Sequence, residues 1–164
     1  MGTRLKPDFY FDSIFQVPYE ELYQQGVRGL IYDIDNTLVT HDDEIPPSEI
    51  ISLVDSLRTM GFEVGLLSNN NSRRMSVFNE SMQLPGASMA AKPFTASLKR
   101  LMDQMQVQPQ HTAIIGDQLF ADVWCGKRAG LTTVLVKPIA KKEVVTVWLK
   151  RGLERQFLKH YYGA

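Results

Sequence analysis

Asp33-Ile34-Asp35 sets two carboxylates two residues apart, directly after a short apolar run. On a strand end these positions share a side, so the acids crowd each other and need a cation, a proton or both. A divalent metal supplies that compensation. One carboxylate of such a pair can attack phosphorus and form an aspartyl-phosphate, while its neighbour protonates the leaving oxygen and then activates water. Phosphoryl transfer also calls for positive charge and hydrogen-bond donors on the equatorial oxygens, which Ser68, Lys92 and a metal ion can provide. Singly, none of these is diagnostic. A lone Asp-x-Asp commonly closes a strand end, a serine after a strand commonly makes a turn or a helix cap, and a lysine before proline is commonly solvated. Their order along the chain is what carries the argument.

That order follows from the elements around them. Val27 to Tyr32 is a mostly apolar run that ends in the two acids and reads as a buried strand. Ser48 to Met60 carries Ile50, Ile51, Val54 and Leu57 at helical spacing and stops at Gly61. Phe62 to Leu67 is a second strand, ending in Ser68. Ser72 to Asn79 reads as a helix, Leu84-Pro85-Gly86 as a turn, and Ala87 to Ala91 as a short strand leading to Lys92. Pro93 suits the first turn of a helix running to about Gln106, with Leu98, Leu101, Met102 and Met105 as its apolar stripe. His111 to Ile115 is a strand that ends in Gly116-Asp117, Ala121 to Ala129 a helix closed by Gly130, and Thr132 to Val136 the last strand. Alternating strands and helices predict an α/β, Rossmann-like three-layer fold with a mostly parallel sheet. Ligands of such sheets bind beyond the carboxyl ends of the strands, where the acids, Ser68 and Lys92 all fall.

The combination resembles the haloacid dehalogenase superfamily of phosphatases, whose four motifs match across most of the chain. Asp33-Ile-Asp35-Asn36-Thr37-Leu38 resembles the first motif, Leu66-Leu67-Ser68-Asn69 the second, Lys92 the third, and Gly116-Asp117 through Asp122 the fourth. The resemblance implies Asp33 as nucleophile, Asp35 as general acid/base, Thr37 as structural, and Ser68, Asn69 and Lys92 as phosphate-binding. It further implies Mg2+ held by Asp33, the backbone carbonyl of Asp35 and Asp117, with Asp122 a further ligand or an acid beside them. Aspartate at both positions of the first motif favours phosphoester cleavage over dehalogenation. The Leu5-Lys-Pro-Asp8 opening, the Asp33-to-Val39 run and Gly116 to Gly130 are similar to the YqeG family within this superfamily. That resemblance makes phosphatidylglycerophosphate one candidate substrate, since mitochondrial relatives act on it.

Length and composition fit one domain over residues 1–164: 44% of residues are apolar and 22% charged. Cys125 is the only cysteine, which excludes an internal disulfide, reads as a buried thiol and suits a reducing, cytoplasmic setting. The remaining methionines read as core filling. No apolar stretch approaches the roughly 18 residues of a membrane span, and no h-region opens the chain. The net charge of zero hides an asymmetry, because residues 137–164 carry seven lysines and arginines against two glutamates. Within it, 138–164 form a basic amphipathic segment with Trp148, Phe157, Tyr161 and Tyr162 among its cations. It suits a helix packed on the sheet, and secondarily a peripheral contact with the inner membrane face through 141–164. Nucleic acid is not expected as a partner; a homo-oligomer is compatible.

The stretches between the first and second motifs and between the second and third are too short for a cap domain. The site is expected to be open, as befits a phosphorylated substrate that is large or lipid-borne, or a protein. His41, Asp42 and Asp43 fall in the flap after the first motif and read foremost as a solvated turn. Three rival readings stay open: a receiver-type phosphoacceptor, a catalytically silent binding protein, and a glycosyltransferase using Asp-x-Asp for a nucleotide-bound metal.

Overall fold

The computed structural model describes residues 5–140 and, apart from them, Lys159. The expectations placed on 141–164, membrane contact included, therefore lie outside the described residues. Six strands make one sheet: β1 (Phe9–Phe11), β2 (Gly29–Tyr32), β3 (Glu63–Leu67), β4 (Gly86–Ala87), β5 (Thr112–Gly116) and β6 (Thr132–Val136). Their order is β1-β6-β5-β2-β3-β4, and every pairing is parallel. The helices between them are α1 (Tyr19–Gln24), α2 (Ser48–Met60), α3 (Ser72–Asn79), α4 (Ala96–Met105) and α5 (Trp124–Ala129).

The central strands show why the chain folds this way. Every residue of β2 and β5 is buried, as parallel strands covered on both faces must be. Alternate side chains divide between the faces. Leu30 and Tyr32 join a core with Ile50, Val54 and Leu57 of α2 and Phe78 of α3, whereas Ile31 packs with Leu98, Leu101, Met102 and Met105 of α4 and with Cys125 of α5. The α2 helix ends at Gly61, whose φ of 107° is the left-handed conformation that closes a helix without Cβ strain.

The departures from the expected elements have local causes. The aromatic lead-in contains β1, a half-buried edge strand paired to β6 at the far end of the described chain, and the six-residue α1. Neither is long enough to show a period. The strand expected over Ala87–Ala91 is confined to Gly86–Ala87, because Met89 and Ala91 take positive φ values of 48° and 54° that no strand tolerates. The helix expected from Pro93 begins at Ala96, and Phe94 N–H instead closes a turn onto Ala91 O at 3.0 Å. Leu119–Val123 forms a π-helical turn that runs into α5. Between β2 and β3 lies only a flap and α2, and between β3 and β4 only α3, so no cap domain covers the strand ends. No helix among the described residues is long and apolar enough to cross a membrane.

Candidate active site

The carboxyl ends of β2, β3 and β5 converge on one buried cluster. Asp33 leaves β2 with its N–H still bonded to Ile115 O of β5 at 3.0 Å, which fixes where its carboxylate starts. The chain then turns back tightly. Thr37, Leu38 and Val39 all donate to Ile34 O, at 3.3, 3.0 and 3.3 Å, and Asn36 takes the left-handed φ of 62° that its short amide tolerates. The turn buries Thr37, whose hydroxyl lies 3.3 Å from Asp117 Oδ1 and 3.5 Å from Asp33 Oδ2 and so spans the two acids.

Lys92 reaches into the cluster from the β4–α4 connection. Its Nζ donates to Asp33 Oδ1 and Asp122 Oδ1, both at 2.6 Å, and to Leu67 O at 3.1 Å. Its side chain is 3% exposed, against 7% for Asp33 and 1% for Asp122, so these are charges held out of water. Asp122 Oδ2 accepts Gln118 N–H at 3.0 Å, which closes the fourth-motif turn. That turn depends on Gly116: a Cβ there would stand 2.2 Å from Asp122 Cγ. Ser68 is buried at the end of β3, and its Oγ accepts Asn70 N–H at 3.1 Å, leaving the hydroxyl hydrogen to donate. Asn69 is exposed, with its Oδ1 held by Lys92 N–H at 2.8 Å.

Burial pushes the Asp33 carboxyl up to about 7; Lys92 pulls against that, and Asp122 and Asp35 add to it. Burial alone would lower Lys92, but Asp122 and Asp33 hold it well above the ordinary lysine range. Three buried carboxylates gather beside the Lys92 ammonium, since Asp33, Asp117 and Asp122 can each bring an oxygen within 4.8 Å of the others. Carboxylates crowded together out of bulk water favour a cation among them. An all-oxygen, carboxylate donor set of this kind fits a hard divalent cation.

Asp35 points elsewhere. Its Oδ1 receives Arg74 Nη2 at 3.0 Å and Nε at 3.3 Å, His41 Nδ1 lies at 3.4 Å, and Asn70 Nδ2 reaches its Oδ2 at 3.4 Å. Arg74 also donates to Thr40 O at 3.3 Å and to Asp43 O, tying the flap to α3. The flap turn expected over His41, Asp42 and Asp43 is indeed exposed, yet it is anchored. Asp43 Oδ2 accepts the Thr40 hydroxyl at 2.5 Å and its N–H at 2.9 Å, and these bonds hold its carboxyl below the usual range. Arg74 is the residue that motif spacing did not single out. Cys125 is a buried thiol, as expected, raised to about 11 by that burial.

A parallel sheet whose strand ends gather two acids, a serine, a lysine and an acid pair in this order defines a hydrolase core of the haloacid dehalogenase type. A family model described as HAD-hydrolase-like matches residues 89–138, the stretch from Met89 through the Lys92 and Asp117–Asp122 motifs. "Probable phosphatase YqeG" of Bacillus subtilis (strain 168) is 34% identical over 152 residues, covering 93% of this chain and 88% of that protein. The chain belongs to the YqeG family of haloacid dehalogenase-type phosphatases. Two solved structures share its fold. A HAD phosphatase from Thermococcus onnurineus superposes with a TM-score of 0.57 at 12% identity, over 71% of this chain and 89% of that one. A HAD family enzyme from Bacteroides thetaiotaomicron, in complex with magnesium and inorganic phosphate, superposes with a TM-score of 0.54 at 14% identity, over 75% of this chain and all of that one.

Proposed function

We propose that this phosphatase hydrolyses phosphomonoesters through an aspartyl-phosphate on Asp33, with Asp35 as general acid and then base. The observation that carries the reading is the buried pairing of Lys92 with Asp33 and Asp122 at 2.6 Å each. Bulk water does not surround the nucleophile, and a lysine held by two acids is placed to meet the equatorial oxygens of a phosphoryl group on Asp33. Ser68 Oγ–H, at the neighbouring strand end, donates to the same group. Asp35, held apart by Arg74, His41 and Asn70, faces the leaving oxygen, protonates it, and afterwards takes a proton from the attacking water. Asp33, Asp117 and the backbone carbonyl of Asp35 would hold Mg2+, with Asp122 a further ligand or an acid beside them, and the ion would supply positive charge to the transferring oxygens.

The substrate is proposed to be large or lipid-borne, with phosphatidylglycerophosphate as the named candidate. Support comes from the missing cap and from three exposed apolar side chains, Met89 and Phe94 on the β4–α4 connection and Trp124 at the start of α5. Arg128 lies 5.8 Å from the ring centroids of both Phe94 and Trp124, the mixture of aromatic and basic groups that suits a lipid interface.

The test is phosphate release from p-nitrophenyl phosphate with and without Mg2+, for wild type, Asp33→Asn and Asp35→Asn. Metal-dependent turnover lost in Asp33→Asn and reduced by at least roughly 10²-fold in Asp35→Asn is the expected result. Turnover that survives Asp33→Asn would overturn the mechanism.

A further inference from the structure

The chain leaving β6 is tied to the first-motif turn, because Ile139 N–H donates to Asn36 O at 3.1 Å, one residue before the 5–140 stretch ends at Ala140. At that point it borders a groove of about 480 Å³, lined by the 38–40 turn, Asp43, the 45–47 stretch ahead of α2, and Ile139 itself. Apart from Thr40 and Asp43, every residue lining it is apolar. Ile45 is 67% exposed and Ile139 49%, so two isoleucines of one groove face water that a packed side chain would displace.

The rim of the groove carries charge. Asp42, Asp43 and Glu44 follow one another on the flap, all exposed. Asp43 has Arg74 near it, whereas neither Asp42 nor Glu44 forms an ion pair among the described residues. A fitting occupant brings apolar side chains together with positive charge. An anionic membrane surface brings the wrong sign to this rim. The chain itself supplies the right mixture directly after Ala140: Lys141 and Lys142, then Val144, Val145, Val147, Trp148 and Leu149, then Lys150 and Arg151. Val145, Trp148 and Leu149 are spaced three and four positions apart, as the apolar residues of one helix face are. Trp148 stands eight positions past Ala140, about 12 Å as a helix and about 27 Å extended, and either span is enough for a groove that starts at Ile139.

We propose that this groove is the docking surface for the chain's own 141–149 stretch, with Trp148 against Ile45 and Ile139 and the two lysines beside the flap acids. The docked stretch packs on Thr40 and Asp43, whose backbone oxygens Arg74 also takes, and so gives the flap a second anchor. The proposal stands independently of the phosphatase mechanism.

The experiment measures acrylamide quenching of Trp148 in the full chain carrying Trp124→Phe, which leaves Trp148 as the only tryptophan. Ile45→Lys and Ile139→Lys are added singly and together; both side chains face water, and circular dichroism checks the fold. Each change is expected to shift docking at least roughly 10-fold and the pair roughly 100-fold, so that quenching in the double variant rises at least about 2-fold, toward that of the urea-unfolded chain. The reciprocal pair Val145→Lys and Leu149→Lys, which leaves the sequence of 5–140 as it is, is expected to do the same. Trp148 open to acrylamide in the Trp124→Phe chain overturns the proposal; if vesicles of phosphatidylserine and phosphatidylcholine then shield it, the stretch belongs to a membrane surface. Shielding that the Ile45 and Ile139 changes leave untouched overturns it as well and puts the stretch elsewhere on the molecule. Shielding lost on dilution, with light scattering showing a dimer become a monomer, overturns docking within one chain in favour of docking between two copies.

Discussion

Arg74 sits in the first turn of α3, the end of a helix whose dipole repels cations. What holds it there is Asp35, at 3.0 Å, with 11% of the arginine side chain and 19% of the aspartate exposed. The pair neutralises an arginine at an unfavourable position and, in the proposed mechanism, aims the Asp35 carboxylate at the leaving oxygen. Removing the guanidinium frees Asp35 to rotate and releases Thr40 and Asp43 of the flap. Arg74→Ala is expected to lower kcat by about 10²-fold on alkyl phosphates, which need a proton on departure, and by less on p-nitrophenyl phosphate, which needs it little. A purely structural arginine would cost both substrates equally, and Arg74→Lys would not restore the difference. The sequence held a trace of this residue. Two arginines in a helix's first turn, five and six residues after Ser68, run against the macrodipole and so call for a nearby carboxylate. Spacing alone could not say that the carboxylate was Asp35, because the contact crosses 39 residues.

At the scale of elements, Gly116 lets β5 end where Asp122 folds back against it, and an added Cβ would lie 2.2 Å from both Asp122 Cγ and Oδ2. Gly116→Ala is thus expected to push Asp122 off Lys92 and to reduce turnover at least roughly 10-fold, while circular dichroism still reports the fold. The edge strand makes a different prediction. Asp8 carries β1 onto β6 through Thr133 N–H at 2.8 Å, the Thr133 hydroxyl at 2.9 Å and Lys127. Burial would raise its carboxyl, but the bonds from Lys127 and Thr133 outweigh this and lower it below 3.8. A lowered folded value means that the stabilisation is complete above the unfolded value and is lost as pH falls through the folded one. Wild type should therefore melt a few degrees above Asp8→Ala near neutral pH, about 1 kcal/mol after screening, and the gap should close as pH falls below 3.8. The long elements were legible because their apolar runs have a period: β2, α2, β3, α3, β5 and β6 lie where the pattern puts them. The elements around Asp8 were not, since β1 has three half-buried residues and its partner is β6, at the other end of the sheet. The start of α4 was misplaced for a related reason. Pro93 is compatible with a first helical turn, but Ala91 in the left-handed region and the Phe94 turn postpone the helix to Ala96.

For the whole molecule the carboxylates gathered at the sheet's end matter most. The four motifs lie on four separate connections, and only the parallel crossovers bring Asp33, Lys92, Asp117 and Asp122 within reach of one another. The sheet thereby concentrates carboxylates that the unfolded chain keeps far apart, so a cation that neutralises them binds the folded state in preference to the unfolded one. Mg2+ at about 100 times its dissociation constant should contribute roughly 2.7 kcal/mol, which for a chain of this size raises the melting temperature by about 5–10 °C. Thermal melts in chelator and in Mg2+ measure the shift. Asp117→Asn removes a carboxylate from the trio and is expected to abolish most of the shift while leaving the protein folded, since Asn can still accept the Thr37 hydroxyl. Stabilisation by Mg2+ of the same size in Asp117→Asn would place the cation elsewhere. A proton on Asp33, whose carboxyl burial pushes up to about 7, would then relieve part of the crowding among the carboxylates.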